Sequence, residues 1–163
     1  MKKLLLTTLS ILILFSCSND KETEITNNFQ KWKYKVNGVQ YEWEGDSNVI
    51  SSWGSSFFSE QSSFTKINLS KIEDPIRFFN FKIPTLNNGE YILAGGNNSS
   101  ANLVVSTLIT YYTDSSHKIN FKITNTSENK ITGTFSGELY RENNMGNPIV
   151  VNITEGYFEA IRE

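Results

Sequence analysis

The sequence predicts an all-β protein, an antiparallel β-sandwich of roughly nine or ten strands behind an N-terminal lipoprotein signal peptide. Three observations carry this. Short runs that alternate apolar and polar residues recur along the chain, separated by Gly, Asn, Asp and Pro turn signals. No stretch keeps a 3.6-residue apolar period between helix caps. Aromatic residues make up 13% of the chain, which favours strands.

The chain opens with Lys2 and Lys3, followed by an apolar run over residues 4–15. Such a run fits a secretory signal and is too short for a transmembrane helix, which needs about 20 apolar residues. It ends in Leu14-Phe15-Ser16-Cys17, and Cys17 is the only cysteine. That order resembles the lipobox of bacterial lipoproteins, whose cysteine sulfur takes a diacylglyceryl group and becomes the first residue after cleavage. Phe15 departs from the pattern, where a small residue is commoner. The expectation is a signal peptide over residues 1–16 and lipidation, including palmitate, at Cys17. Two or more acyl chains anchor a protein stably where one holds it only marginally. Lipidation also uses the only thiol, leaving no disulfide, cysteine nucleophile or cysteine metal site.

Residues 17–29 are almost wholly polar and cannot bury enough surface to order themselves, so they are expected to form a flexible tether. Ser18, rather than Asp, resembles outer-membrane sorting. Asp20-Lys21-Glu22 resembles the acidic export signal of Bacteroidota surface lipoproteins. Both resemblances imply an outer-membrane protein at the cell surface. The remaining residues, 30–163, suit a single domain. The chain has 15 basic and 17 acidic residues, and loss of Lys2 and Lys3 with the signal leaves a net charge of about −4. A nucleic-acid binder usually shows a basic patch, so nucleic acid is not an expected partner.

Within the domain, Asn37-Gly38 lies between two alternating runs, the strongest short-range signal for a two-residue hairpin. With those residues as the loop, Val36 pairs with Val39, Tyr34 with Tyr41 and Trp32 with Trp43, all on one face. On the other face Lys33 opposes Glu42, Lys31 opposes Glu44 and Lys35 opposes Gln40. A one-residue slip would break both sets. Residues 48–53 are a candidate strand, and Gly54-Ser55-Ser56 leads to Phe57 and Phe58. Residues 64–72 alternate with Ile67 and Leu69 in phase. Residues 76–83 place Phe79, Phe81 and Ile83 on one face, and Pro84 ends the run. Residues 91–93 form a short strand before the loop around Gly95 and Gly96.

Residues 103–112 are apolar on both faces and read as one central strand. Residues 118–126 point Ile119, Phe121 and Ile123 inward. Residues 130–140 do the same with Ile131, Phe135 and Leu139, on the face that carries Gly133 and Gly137. A three-residue loop is expected to set Ile123 against Ile131 and Phe121 over Gly133. Residues 141–148 are a loop, and Ile149, Val151 and Ile153 begin the last strand. Gly156 is a candidate bulge that resets the phase for Phe158.

Four motifs then occur in order: Lys35-Val36-Asn37-Gly38 with Trp43, Gly89-Glu90-Tyr91-Ile92-Leu93, Ile131-Thr132-Gly133-Thr134-Phe135-Ser136-Gly137, and Asn152-Ile153-Thr154-Glu155-Gly156-Tyr157-Phe158. Together they resemble a group of uncharacterised Bacteroidota lipoproteins of about this length, which pair a lipobox with an all-β domain of unknown function. The resemblance implies compartment and fold. Its motifs are turns, glycines and core aromatics, so it implies no activity.

Catalytic chemistry finds little support. His117 is the only histidine and sits beside Asp114, Ser115 and Ser116 in a turn, whereas a Ser–His–Asp triad needs groups that converge in space. A transition-metal site needs more N or S ligands than the chain supplies. Glu42, Glu44 and Asp46 share a strand face and are a candidate oxygen set for calcium, but lysines stand opposite two of them. No phosphate or dinucleotide loop is present. The expectation is a protein with no cofactor, no metal and no catalytic residues, hence not an enzyme. Trp53, Phe57 and Phe58, in a Ser-rich stretch, are the candidate ligand-binding residues, an exposed aromatic platform for a glycan or a protein partner. Tyr111, Tyr112 and Tyr140 are weaker candidates. The alternative function is a periplasmic envelope-assembly or immunity protein that binds one protein partner.

Overall fold

The computed structural model describes residues 29–46, 54–71 and 77–163. The signal segment, Cys17, most of the tether, and Trp53 with the candidate strand at 48–53 lie outside the described residues. Among the described residues there are eleven strands: β1 (Phe29–Val36), β2 (Val39–Asp46), β3 (Gly54–Glu60), β4 (Thr65–Lys71), β5 (Arg77–Ile83), β6 (Gly89–Leu93), β7 (Ser100–Ser106), β8 (Ile109–Tyr112), β9 (Ile119–Thr126), β10 (Lys130–Glu142) and β11 (Pro148–Arg162). No helix occurs among the described residues.

The pairings build two layers. One is six-stranded, in the order β2-β1-β11-β10-β9-β6, and the other five-stranded, in the order β3-β4-β5-β7-β8. Two seams join them, at the two edges of the five-stranded layer and at opposite ends of the β10–β11 hairpin. Ile161 and Arg162 of β11 run parallel to Phe57 and Phe58 of β3, and Tyr140 of β10 pairs with Tyr112 of β8. The long hairpin of β10 and β11, 13 and 15 residues, therefore reaches both seams. The all-β, sandwich-like class follows from these layers.

Alternation explains what they bury. Successive residues of a strand face opposite ways, so Phe79, Phe81 and Ile83 of β5 point inward, as do Ile119, Phe121 and Ile123 of β9, and all six are fully buried. Rings from the two layers meet between them: Phe79 and Phe135 centroids are 5.1 Å apart, Phe81 and Phe121 4.8 Å, and Tyr34 and Phe79 5.3 Å. Gln30 is buried with them, and its Oε1 accepts a 2.6 Å hydrogen bond from the backbone N–H of Ser56, tying β1 to β3.

The β1–β2 hairpin has the expected register throughout, from Val36 opposite Val39 to Lys31 opposite Glu44. Asn37 and Gly38 both take positive φ, as such a turn requires. The lysines nevertheless turn to the other flank: Lys31 pairs with Glu159 at 2.8 Å and Lys35 with Glu155 at 2.6 Å, both carboxylates of β11. The phase reset near Gly156 is also present. Phe135 opposes Gly156 and Gly137 opposes Ile153, so Thr154 and Glu155 form the bulge, with Glu155 at φ 53°.

Three expectations are corrected. Residues 103–112 are two strands, β7 and β8, that turn at Thr107 and Leu108 with Leu108 92% exposed. The apolar residues on the second face mark an outer surface rather than a second buried one. The three-residue gap after Thr126 is present, but an irregularity between Thr132 and Gly133 sets Ile123 opposite Gly133 and Phe121 opposite Phe135. The ring that occupies the space beside Gly133 belongs to Phe158. Finally, Gly54-Ser55-Ser56 is part of β3 rather than a lead into it, because Ser56 is buried and bonded to Gln30.

Candidate binding face on the five-stranded layer

The outward-facing residues of the five-stranded layer fall into rows, because neighbouring strands pair in register. One row runs Phe57, Asn68, Asn80, Asn102, Tyr112 across β3, β4, β5, β7 and β8. The adjacent row is Ser55, Ser70, Phe78, Val104, Thr110. Neither carries a charged side chain.

The asparagines are joined side chain to side chain. Asn68 Nδ2 donates to Asn80 Oδ1 at 2.9 Å, and Asn80 Nδ2 donates to Asn102 Oδ1 at 3.0 Å. Asn68 Oδ1 is buried and accepts nothing. Ser55 and Ser70 share a hydrogen bond of 2.6 Å between their hydroxyls. A depression of about 210 Å³ opens beside this end of the rows, lined by Phe57, Ser59, Lys66, Asn68, Phe78 and Glu163 among others. Tyr112, at the other end, is 51% exposed.

The outer face of the six-stranded layer is different in kind. Its rows alternate charges, and most of those charges are satisfied within the sheet. Lys122 pairs with Glu90 at 2.9 Å. Glu159 accepts from Lys31, from Lys130 and, at 2.6 Å, from the Tyr157 hydroxyl. Burial acts to raise the Glu159 pKa, but the hydrogen bonds from Lys130, Lys31 and Tyr157 outweigh it and hold the carboxyl down at about 2. Burial, with the bond to Glu159, pushes the Tyr157 phenol up to about 12. Two larger concavities occur here. One, of about 620 Å³, is lined by Ile92, Lys122 and Glu155 among others. The other, of about 710 Å³, lies between Trp32, Trp43 and Lys71 and borders the ends of β2 and β4, where the described segments stop.

The structure separates the aromatic candidates. Phe57 is half-buried on the outer face and lines the depression. Phe58 is a correction: it is fully buried, with the Arg162 guanidinium 4.9 Å from its ring centroid, because alternation along β3 turns it into the core. It has no surface to offer a ligand. Trp53 lies outside the described residues. Of the tyrosines, Tyr112 completes the asparagine row, Tyr111 packs against the core, and Tyr140 stacks on His117 with centroids 4.9 Å apart.

His117 closes a turn. Asp114 Oδ1 accepts from the backbone N–H of His117 at 2.6 Å and of Ser116 at 2.8 Å, and lies 3.0 Å from His117 Nδ1. The His117 backbone bond is the main cause that lowers the Asp114 pKa. Among the described residues no group of three or more His, Cys, Asp or Glu is placed to hold a metal ion.

The asparagine row had a sequence signal. Asn68 lies between Ile67 and Leu69, Asn80 between Phe79 and Phe81, and Asn102 between Ala101 and Leu103. An asparagine flanked by two inward apolar residues in each of β4, β5 and β7 marks one polar stripe, once these strands are known to pair in that register.

The chain matches no family model, no curated protein and no solved structure.

Proposed function

We propose that this chain is a non-catalytic binding protein, lipid-anchored to the outer membrane through Cys17 and displayed at the cell surface, which meets a glycan or protein ligand through the outer face of the five-stranded layer. The observation that carries the binding reading is the row from Phe57 to Tyr112. It sets two half-exposed rings at the ends of a hydrogen-bonded amide ladder, next to a depression. Three half-buried asparagines keep donors and acceptors that the ladder does not use, and a surface that binds polar groups has a use for them. The apolar run ending at Cys17, the polar tether and the resemblance to Bacteroidota lipoproteins support the anchor and the compartment.

Protease shaving of intact cells, with lysed cells as control and an epitope tag after Glu163, tests the location. Loss of the tag from intact cells is the expected result. Protection in intact cells with cleavage after lysis would place the domain in the periplasm, where an envelope-assembly or immunity role replaces this one.

A further inference from the structure

We infer that the ligand of the five-stranded layer is an uncharged glycan chain lying across the strands, with Phe57 and Tyr112 as stacking platforms and the amides of Asn68, Asn80 and Asn102 bonding its hydroxyls. This rests on the reading above that this face is the binding surface, and it names the ligand class.

The spacing of the row fits a chain of sugar rings. The five residues of the row sit on five adjacent strands, so they are spaced at the inter-strand distance, about 4.8 Å. An extended chain of pyranose rings repeats at a closely similar length. Successive sugars would then meet successive strands along the twist of the layer.

The hydrogen-bonding capacity of the row fits hydroxyl groups. Each asparagine amide has two N–H donors and two acceptor lone pairs. The two bonds within the ladder use one donor each on Asn68 and Asn80, and one lone pair each on Asn80 and Asn102. What remains is a mixture of donors and acceptors, with both N–H groups of Asn102 uncommitted to the ladder. A hydroxyl both donates and accepts, so a line of sugar hydroxyls suits that mixture. The ladder also fixes the amides relative to one another, so less freedom is lost when a ligand binds.

Charge and apolarity bear on the ligand class. Ten positions in the two rows include no Lys, Arg, Asp or Glu, in a chain that is 20% charged, while the opposite outer face is built of charge pairs. The next row, Ser59, Lys66, Lys82 and Ser100, carries two lysines, which would favour an acidic glycan lying along that row, whereas the asparagine row itself offers an acidic group no cation. A protein partner wants apolar anchors that become fully buried. These rows present one aliphatic residue, Val104, and three aromatic ones, Phe57, Phe78 and Tyr112, with amides and hydroxyls between them, so the rings stand apart rather than as one apolar patch.

The test uses the full-length chain in detergent, run by affinity electrophoresis through gels holding soluble starch, xylan, mannan or laminarin, and in parallel polygalacturonate or heparin. Retardation by at least one neutral polymer is expected. Tyr112→Ala and Asn80→Ala should each weaken it at least tenfold, with near-ultraviolet circular dichroism confirming the fold, while Thr134→Ala on the opposite layer leaves it unchanged. Retardation by acidic polymers alone, or neutral binding that both variants retain, would overturn the inference. If no polymer binds while a photocrosslinker at position 80 captures a protein in cells, the glycan assignment falls and the binding face stands. If nothing is captured there either, both fall.

Discussion

Gly133 stands directly opposite Phe158 on the β10–β11 ladder, and the Phe158 ring fills the space that a side chain on Gly133 would need. A Cβ there would lie 2.6 Å from ring atoms Cε1 and Cζ and closer still to the Lys122 carbonyl oxygen. Backbone on one side and a buried ring on the other leave no room to relax. Gly133→Ala should therefore destabilise the fold by about 3 kcal/mol, the upper part of the range for overpacking. Denaturant titration reads this as a lower midpoint at an unchanged slope. An unchanged midpoint would mean that the two strands do not pair in this register.

Glu159 makes stability depend on pH. Its side chain is 13% exposed and its folded pKa is about 2, below the 4.5 of an unperturbed glutamate. A depressed folded pKa contributes stability that is fully present above the unfolded value and is lost as pH falls through the folded one. The window is about pH 5 down to pH 2, and the contribution is on the order of 2–3 kcal/mol. Wild-type stability should fall steeply across that window, while Glu159→Gln, already weaker at pH 7, should show a flatter profile. Parallel profiles would contradict the three-donor arrangement.

The split of residues 103–112 into two strands makes a sharp contrast. Leu103 is fully buried in β7 and Leu108 is 92% exposed in the turn. Leu103→Ala should cost about 2–5 kcal/mol and Leu108→Ala less than about 0.5 kcal/mol. A single central strand buried on both faces would make both substitutions costly. Thermal melting of the pair checks this.

How much the chain disclosed depended on how local the signal was. The β1–β2 hairpin was legible to the residue, because Asn37-Gly38 fixes the loop and two independent patterns, aromatic and charged, agree on one register. The bulge before Gly156 was legible because inward phase changes between Ile153 and Phe158. The turn at Thr107 and Leu108 was not, since neither residue type announces a turn. The Lys31–Glu159 and Lys35–Glu155 pairs were invisible, because they join strands more than a hundred residues apart. The binding face was half legible. Phe57 was singled out for its setting, but Phe58 beside it was not separable until β3 fixed which of the two faces outward. The asparagine row became visible only when three strands were laid side by side.

Cys17 carries the anchor in the proposed function. Cys17→Ser should reduce incorporation of labelled palmitate to background and remove the protein from the outer-membrane fraction, since the stable hold comes from the acyl chains. Labelling that survives the substitution would place the lipid elsewhere or dismiss it.

The most direct measurement of the central claim sets one outer face against the other in intact cells. A photocrosslinking amino acid is placed at position 80, the middle of the asparagine row, or at position 134, an exposed site on the six-stranded layer. The account predicts light-dependent adducts from position 80 and none from position 134. Adducts from position 134 alone, or from neither, would contradict it.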